Sequence, residues 1–207
     1  MRAKTISTRI PLDHYPTPAG VTRQLLGELG FASRSTPWSF LDPACGEGSM
    51  LRVAIDAGAT TVRGLEVDAE RAARAQRALS AAPAPVGVSV VHCDALGSAW
   101  PLAWMVADVL VTNPPYSHAL EFAARAASWA HEHQRPAALL MRLAFAESAR
   151  RISLHRAHPA DIWVLPKRPK FRADRSGTDS SAYAWWVWGP GRGGRWHVLP
   201  LQSANSP

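Results

Sequence analysis

Val109-Leu110-Val111-Thr112-Asn113-Pro114-Pro115-Tyr116 reads as a buried strand running into a preset turn. Both prolines fix their own φ angles, and Pro114 also biases Asn113 towards an extended backbone. An amide side chain, a stiffened carbonyl and an aromatic ring are thereby set at the carboxyl edge of a sheet. In an open α/β sheet that edge is where ligands bind. A planar group bearing an amino nitrogen can lie on Tyr116 while the Asn113 side-chain oxygen and the Pro114 carbonyl accept its two hydrogens. Asn113, Pro114, Pro115 and Tyr116 are therefore candidate catalytic residues.

Upstream stands Phe40-Leu41-Asp42-Pro43-Ala44-Cys45-Gly46-Glu47-Gly48. A strand ends near Asp42, a Gly-x-Gly turn follows, and a helix opens at Ser49. Glycines there allow a ligand close to the backbone, and the helix start offers amide donors. Leu51 occupies the place of the third glycine of a dinucleotide fingerprint, and Asp42 would repel a pyrophosphate. An acidic residue suits a cation instead, such as the ammonium group of an amino acid moiety.

Around these motifs the pattern alternates strand and helix. Helices are expected over 18–30 (Thr17 as N-cap, Pro18 at the first helical position), 49–57, 69–79, 119–133 and 145–155. Strands are expected over 38–41, 61–65, 86–91, 108–112, 137–141, 162–165 and 182–188. Repeated strand–helix units imply an α/β fold with a mainly parallel sheet and helices on both faces. Most tryptophans, including the 185–188 run, read as core. A single domain over 1–200 is expected, with a flexible tail from 201; the stretch from Gly189 reads as a glycine- and arginine-rich tail, disordered from Ser203 onward.

The 207 residues, 47% hydrophobic and 19% charged, suit one well-cored domain. No apolar run reaches the length of a membrane span, and two cysteines give no disulfide framework, so a cytoplasmic protein is expected. Cys45 and Cys93 read as small buried side chains. The eight histidines lack ligand spacing, and no metal is assigned. A formal net charge of +7 suits a polyanionic partner.

Asp42-Pro-Ala-Cys-Gly-x-Gly and Asn113-Pro-Pro-Tyr together resemble motifs one and four of the S-adenosylmethionine-dependent DNA adenine-N6 methyltransferases, in the short form found in phages and prophages. His14-Tyr15-Pro16-Thr17-Pro18, before an amphipathic stretch, is similar to motif ten, and the resemblance runs from about Tyr15 to Trp188. It implies a Rossmann-like sheet of seven strands, the last reversed and inserted between the fifth and sixth. Implied too are S-adenosyl-L-methionine as cofactor and DNA as partner, with a flipped or single-stranded adenine as acceptor. The cofactor site carried over comprises Tyr15, Thr17, Pro18, Asp42, Pro43, Ala44, Cys45, Gly46, Gly48, Glu66, Val67, Asp94, Ala95 and Asn113. Within it, Glu66 would accept both ribose hydroxyls, Asp94 the adenine amine, and Thr17 would help hold the methionine carboxylate. Asp68 reads as a helix N-cap, and Asp94 has the alternative of capping the turn after it.

Tyr116 offers the acceptor base one stacking face. The resemblance places the other on the loop before the last strand, where Phe171 is the aromatic residue. Lys167, Arg168, Lys170 and Arg172 beside it suit backbone phosphates; the alternative is a solvated loop with Phe171 tucked onto the core. Arg192 to Arg195 reads as a flexible turn that brushes phosphate non-specifically. No separate target-recognition domain is expected in these residues, so sequence reading would fall to this loop, be weak, or come from a partner. The same turn at 113–116 occurs in enzymes that methylate cytosine N4, ribosomal guanine or protein glutamine, and a non-catalytic nucleic-acid-binding relic is a further alternative. Motif ten placed first and the Asp-Pro-Ala-Cys form favour DNA adenine.

Overall fold

A computed structural model describes residues 16–81, 85–97, 106–171 and 181–201. Tyr15, Arg172 and all of the expected tail but Leu201 lie outside the described residues. Eight strands form one sheet in the order β3-β2-β1-β4-β5-β7-β6-β8. They are β1 (Ser39–Asp42), β2 (Thr61–Glu66), β3 (Gly87–His92), β4 (Val109–Thr112), β5 (Ala137–Arg142), β6 (Asp161–Val164), β7 (Tyr183–Trp188) and β8 (Trp196–Val198). Strands β1 to β5 run parallel, and β7 is antiparallel to both β5 and β6. The reversed strand between the fifth and sixth is as the resemblance implied. Strand order turns back between β1 and β4, so the carboxyl ends of β1, β2 and β4 share one edge.

The helices are α1 (Ala19–Glu28), α2 (Ser49–Asp56), α3 (Ala69–Leu79), α4 (Ala119–His133) and α5 (Ile152–Ala157). Side chains of α1, α2 and the end of α3 pack on one face of the sheet, those of α4 and α5 on the other. Strand β7 is buried along its length and alternates between the two cores. Tyr183, Trp185 and Val187 enter one core; Ala184, Trp186 and Trp188 enter the other. A strand with both faces covered reads as a continuous apolar run, which is why the tryptophan-rich segment belongs in the interior.

Three expectations are corrected. Helix α1 begins at Ala19, and Thr17 is not its N-cap: the cap residue is Pro18, without a side-chain cap bond. Residues 145–155 do not form one helix. Two 3₁₀ turns (Leu143–Ala146 and Ala149–Arg151) precede the short α5, and Ser148 between them has φ 122°. Arg151 explains the break, because its guanidinium donates to the carbonyls of Ala144, Phe145 and Glu147, which a continuous helix would use for its own amides. Last, the stretch from Gly189 is folded and supplies an eighth strand, β8, parallel to β6. Buried Asp161 gathers it, accepting from the Gly193 and Arg195 amides at 3.0 and 3.1 Å and from Arg195 Nη2 at 3.0 Å. Burial pushes the Asp161 carboxyl up, but these bonds outweigh it and hold it below the ordinary carboxylate range. Arg192 pairs with the same carboxylate and covers the Trp163 ring, so the arginines of this stretch hold the turn together.

Gly64 on β2 shows how closely the first glycine turn is packed against the sheet. A Cβ at Gly64 would lie 2.6 Å from Cys45 Sγ and 2.8 Å from Leu51 Cδ1. Gly64→Ala should therefore destabilise the protein by about 1–3 kcal/mol in urea denaturation. Adding Cys45→Ala should recover part of the loss, since it removes the nearest atom. A double variant whose loss equals the sum of the single losses would show that crowding against Cys45 is not the cause.

Candidate active site

Two carboxylates organise the turn that leaves β1. Asp42 Oδ1 accepts the Ala44 amide at 3.0 Å, and Glu66 Oε2, from the end of β2, accepts the Gly46 amide at 2.9 Å. The Cys45 amide donates to the Leu65 carbonyl at 2.9 Å, tying the turn to β2, and the Gly48 amide donates back to the Cys45 carbonyl at 2.8 Å. Gly46 and Gly48 have φ of 55° and 84°, the left-handed region that side chains resist. Pro43, Cys45, Gly46 and Gly48 are buried and Ala44 is half-buried. Cys45 points into the core against Gly64, as expected of small buried filler, and burial pushes its thiol up, leaving it unreactive. Cys93 is partly exposed.

Asp42 is wholly covered, and its Oδ2 has no hydrogen bond among the described residues. Burial pushes its carboxyl up to about 7; the Thr112 hydroxyl and the Ala44 amide pull against this, and the Glu66 charge adds to it. A carboxylate so poorly compensated favours a cation nearby. Direct contact requires the covering side chains to shift, but its field acts without contact.

Glu66 is 6% exposed and holds more than one partner: Oε1 accepts the Asp68 amide at 3.0 Å and lies 3.7 Å from Arg71 Nη1. Two amides fill only part of a carboxylate's acceptor capacity, so hydroxyl donors can still be accommodated. Asp68 is the N-cap of α3, its side chain accepting from the Arg71 amide at 3.0 Å, as anticipated. Val67 between them is half exposed, an apolar surface beside the carboxylate. Asp94, after β3, is exposed and directs Oδ1 to the Leu96 amide at 2.9 Å; the turn-capping alternative thus describes one of its oxygens. Ala95 is buried.

The turn at 113–116 lies at the end of β4. Thr17 Oγ1, 5% exposed, accepts from Asn113 Nδ2 at 3.0 Å across a separation of 96 residues. Thr17 thus accepts from Asn113, a bond that uses a lone pair of its oxygen and not its O–H donor; Pro18 is half-buried beside it. An anchored amino end leaves the Asn113 carbonyl oxygen as the acceptor, and that atom is shielded from bulk solvent. Pro114 is buried, Pro115 half-buried, and Tyr116 starts a 3₁₀ turn (Tyr116–His118) leading into α4.

Arg142 and Tyr183 belong to the same neighbourhood, and sequence reasoning missed both. The Arg142 guanidinium lies 4.7 Å from the Tyr116 ring centroid, and Tyr183 lies 6.1 Å from it. Phe171 meets Tyr183 edge-on at 5.1 Å, half-buried, so the aromatic residues form a row from Tyr116 through Tyr183 to Phe171. Lys167, Arg168 and Lys170 beside Phe171 are exposed. Arg142 and Tyr183 are cross-strand partners, a pairing that only the reversed strand creates.

No protein-family model matches this sequence, and no curated protein does. Solved structures share its fold. A Listeria monocytogenes protein assigned as a class I S-adenosylmethionine-dependent methyltransferase aligns with a TM-score of 0.64 at 15% identity, over 94% of this chain and 68% of that one. The methyltransferase subunit of a type I restriction-modification system from Streptococcus thermophilus aligns at 0.62 and 15% identity, over 86% of this chain and 45% of the subunit. Magnesium protoporphyrin IX methyltransferase from Synechocystis, solved with its cofactor bound, aligns at 0.55 and 14% identity, over 82% and 77%. The chain has the Rossmann-like α/β fold of these methyltransferases, with eight strands rather than the expected seven. Among the described residues, no helix is long and apolar enough to cross a membrane.

The raised Asp42 carboxyl makes stability depend on pH. Its folded value, about 7, exceeds the ordinary 3.8, so the ionised form is disfavoured by folding. That penalty is absent below the ordinary value, grows as pH rises and is complete above about 7. Relative to Asp42→Asn, the protein should lose up to roughly 4 kcal/mol of stability between pH 4 and 7. Denaturation of both proteins across that range tests this, and a difference that stays flat would rule it out.

Proposed function

We propose that this chain binds S-adenosyl-L-methionine and methylates the N6 amine of adenine in DNA. The observation that carries this reading is the Asn113 amide, anchored by Thr17 at 3.0 Å, on the same sheet edge as Asp42, Glu66 and Asp94. Carboxylates at the ends of β1 and β2 and just after β3 match a ligand with a cationic amino acid end, a ribose and an amino-bearing base. The incompletely compensated Asp42 fits the ammonium, Glu66 the ribose hydroxyls, exposed Val67 the face of the base, and Asp94 its amine. When bound, the cofactor supplies a methyl group already activated on a sulfonium, so no nucleophilic side chain is needed.

The chain's own task is the acceptor. An exocyclic amine is a poor nucleophile because its lone pair is delocalised into the ring. The Asn113 side-chain oxygen and the Pro114 carbonyl accept its two hydrogens and stabilise positive charge growing on nitrogen. Tyr116 carries the ring, with Pro115 stiffening the turn, and in-line placement supplies much of the remaining acceleration. Arg142 over Tyr116 occupies ring surface, so a stacking base takes the remaining face or displaces the guanidinium. Lys167, Arg168 and Lys170, with Phe171 behind them, are proposed to hold the DNA backbone, and target choice to reside in this loop or in a partner.

Incubation with radiolabelled cofactor and, separately, DNA, RNA and protein, followed by nucleoside analysis, tests the reading. Label should appear as N6-methyladenine from DNA; label in RNA, in protein or in cytosine would redirect it. Asn113→Ala should lower turnover by about 100- to 1000-fold while cofactor affinity, measured by calorimetry, falls far less, because the Asn113 oxygen acts mainly on the reacting amine. Neutralising Lys167, Arg168 and Lys170 together should weaken DNA binding for all sequences and flatten its salt slope by up to about one unit for each phosphate no longer held. Filter binding that matches the parent at every salt concentration would place the DNA elsewhere.

A further inference from the structure

Arg125, on the second turn of α4, reaches back to the opposite side of the cofactor edge. Its guanidinium donates to the Ala95 carbonyl, to Gly97 at 3.3 Å and, more weakly, to Leu96 at 3.5 Å. Three consecutive carbonyls converging on one side chain suit arginine, whose planar fork presents five donors in fixed directions. These carbonyls belong to the turn that Asp94 opens. That turn is shaped from within by Asp94, whose Oδ1 accepts the Leu96 amide at 2.9 Å and whose carbonyl accepts the Gly97 amide at 3.1 Å. It is tied to β2 where the Cys93 amide meets the Glu66 carbonyl at 2.9 Å. Arg125 supplies the tie on its far side.

The helix carrying Arg125 continues directly from the 3₁₀ turn at Tyr116–His118. Helix α4 is buried along one face through Phe122, Ala123, Ala126 and Ala127, which packs it against the sheet. One rigid element thus joins the acceptor turn at its start to the Asp94 turn about two helical turns later.

We propose that Arg125 is a positioning residue that holds the Asp94 turn where its carboxylate meets the amine of the cofactor's adenine. This rests on the assignment of Asp94 given above. Arg125 does not touch the cofactor; it acts through the backbone of residues 95–97. Removing it leaves the internal bonds of the turn in place but frees the turn to drift over the sheet edge, which weakens the interaction that Asp94 makes. Affinity for the adenine amine should fall selectively, and the rest of the cofactor should bind as before.

Calorimetry with S-adenosylhomocysteine and S-inosylhomocysteine tests this, because the second ligand presents a carbonyl oxygen where the first presents the amine. The parent should prefer the adenine ligand by about ten- to a hundredfold, the range of one hydrogen bond to a charged group. Asp94→Asn should reduce that preference. Arg125→Met should reduce it to a similar degree, and Arg125→Lys should keep part of it. A merely structural role would weaken both ligands equally and leave the ratio unchanged. If Arg125→Lys and Arg125→Met keep the parent's ratio while Asp94→Asn loses it, Arg125 has no positioning role and the Asp94 assignment stands. If the parent shows no preference, the Asp94 assignment fails and the role of Arg125 with it.

Discussion

One buried carboxylate, that of Glu66, joins the three pieces of backbone on which the site is built. It ends β2, accepts the Gly46 amide from the turn after β1, and accepts the Asp68 amide at the entrance to α3. Two elements adjacent in the sheet thus meet through a single side chain, and the glycines at 46 and 48 take the backbone shape that this meeting requires. An acceptor with two oxygens and no donor is suited to that position, because both amides would otherwise be orphaned beneath the turn. Neutral glutamine would present one donor where two acceptors are needed.

Asp42 and Glu66 stand together in the same buried region, and their charges oppose each other. Glu66 has two amides and Arg71 to stabilise it; Asp42 has the Ala44 amide and the Thr112 hydroxyl, too little to offset its burial. The asymmetry leaves Asp42 as the site of stored electrostatic cost. Costs of this kind collect at functional sites, where a ligand relieves them. The turn at 113–116 is built differently. Its Asn113 amide is held by a hydroxyl from the chain's beginning, and its tyrosine by an arginine and a second tyrosine from the chain's later strands. Segments remote in sequence therefore converge on residues 113–116, and none of them meets the site until the sheet is assembled.

The outer edge of the sheet follows the same logic of a buried acid collecting donors. Asp161 draws in the amides of Gly193 and Arg195 and two guanidinium groups, and β8 pairs with β6 as a result. Trp196 and Val198 on β8 remain exposed, as befits a short edge strand.

The sequence by itself determined the alternation of strands and helices, the two turns at 42–48 and 113–116, the N-cap at Asp68 and the interior place of the 185–188 run. Each of these is local: a period of apolar residues, a proline-fixed φ, a glycine where φ is positive, or a side chain bonding three residues ahead. The reversed seventh strand came from resemblance, since period alone carries no strand direction. Tertiary structure decided the rest. Thr17 looked like a helix cap because its neighbours fit one, yet its hydroxyl oxygen accepts from the Asn113 side chain. The stretch from Gly189 looked irregular because glycine and arginine lack a strand period, and it was Asp161, distant in sequence, that organised it. Arg142, Tyr183 and Arg125 carry no motif; their roles come from cross-strand register and from a helix aligned against a neighbouring turn. Long-range hydrogen bonds of this kind leave no periodic trace, because their partners are set by the path of the chain in space and not by spacing along it.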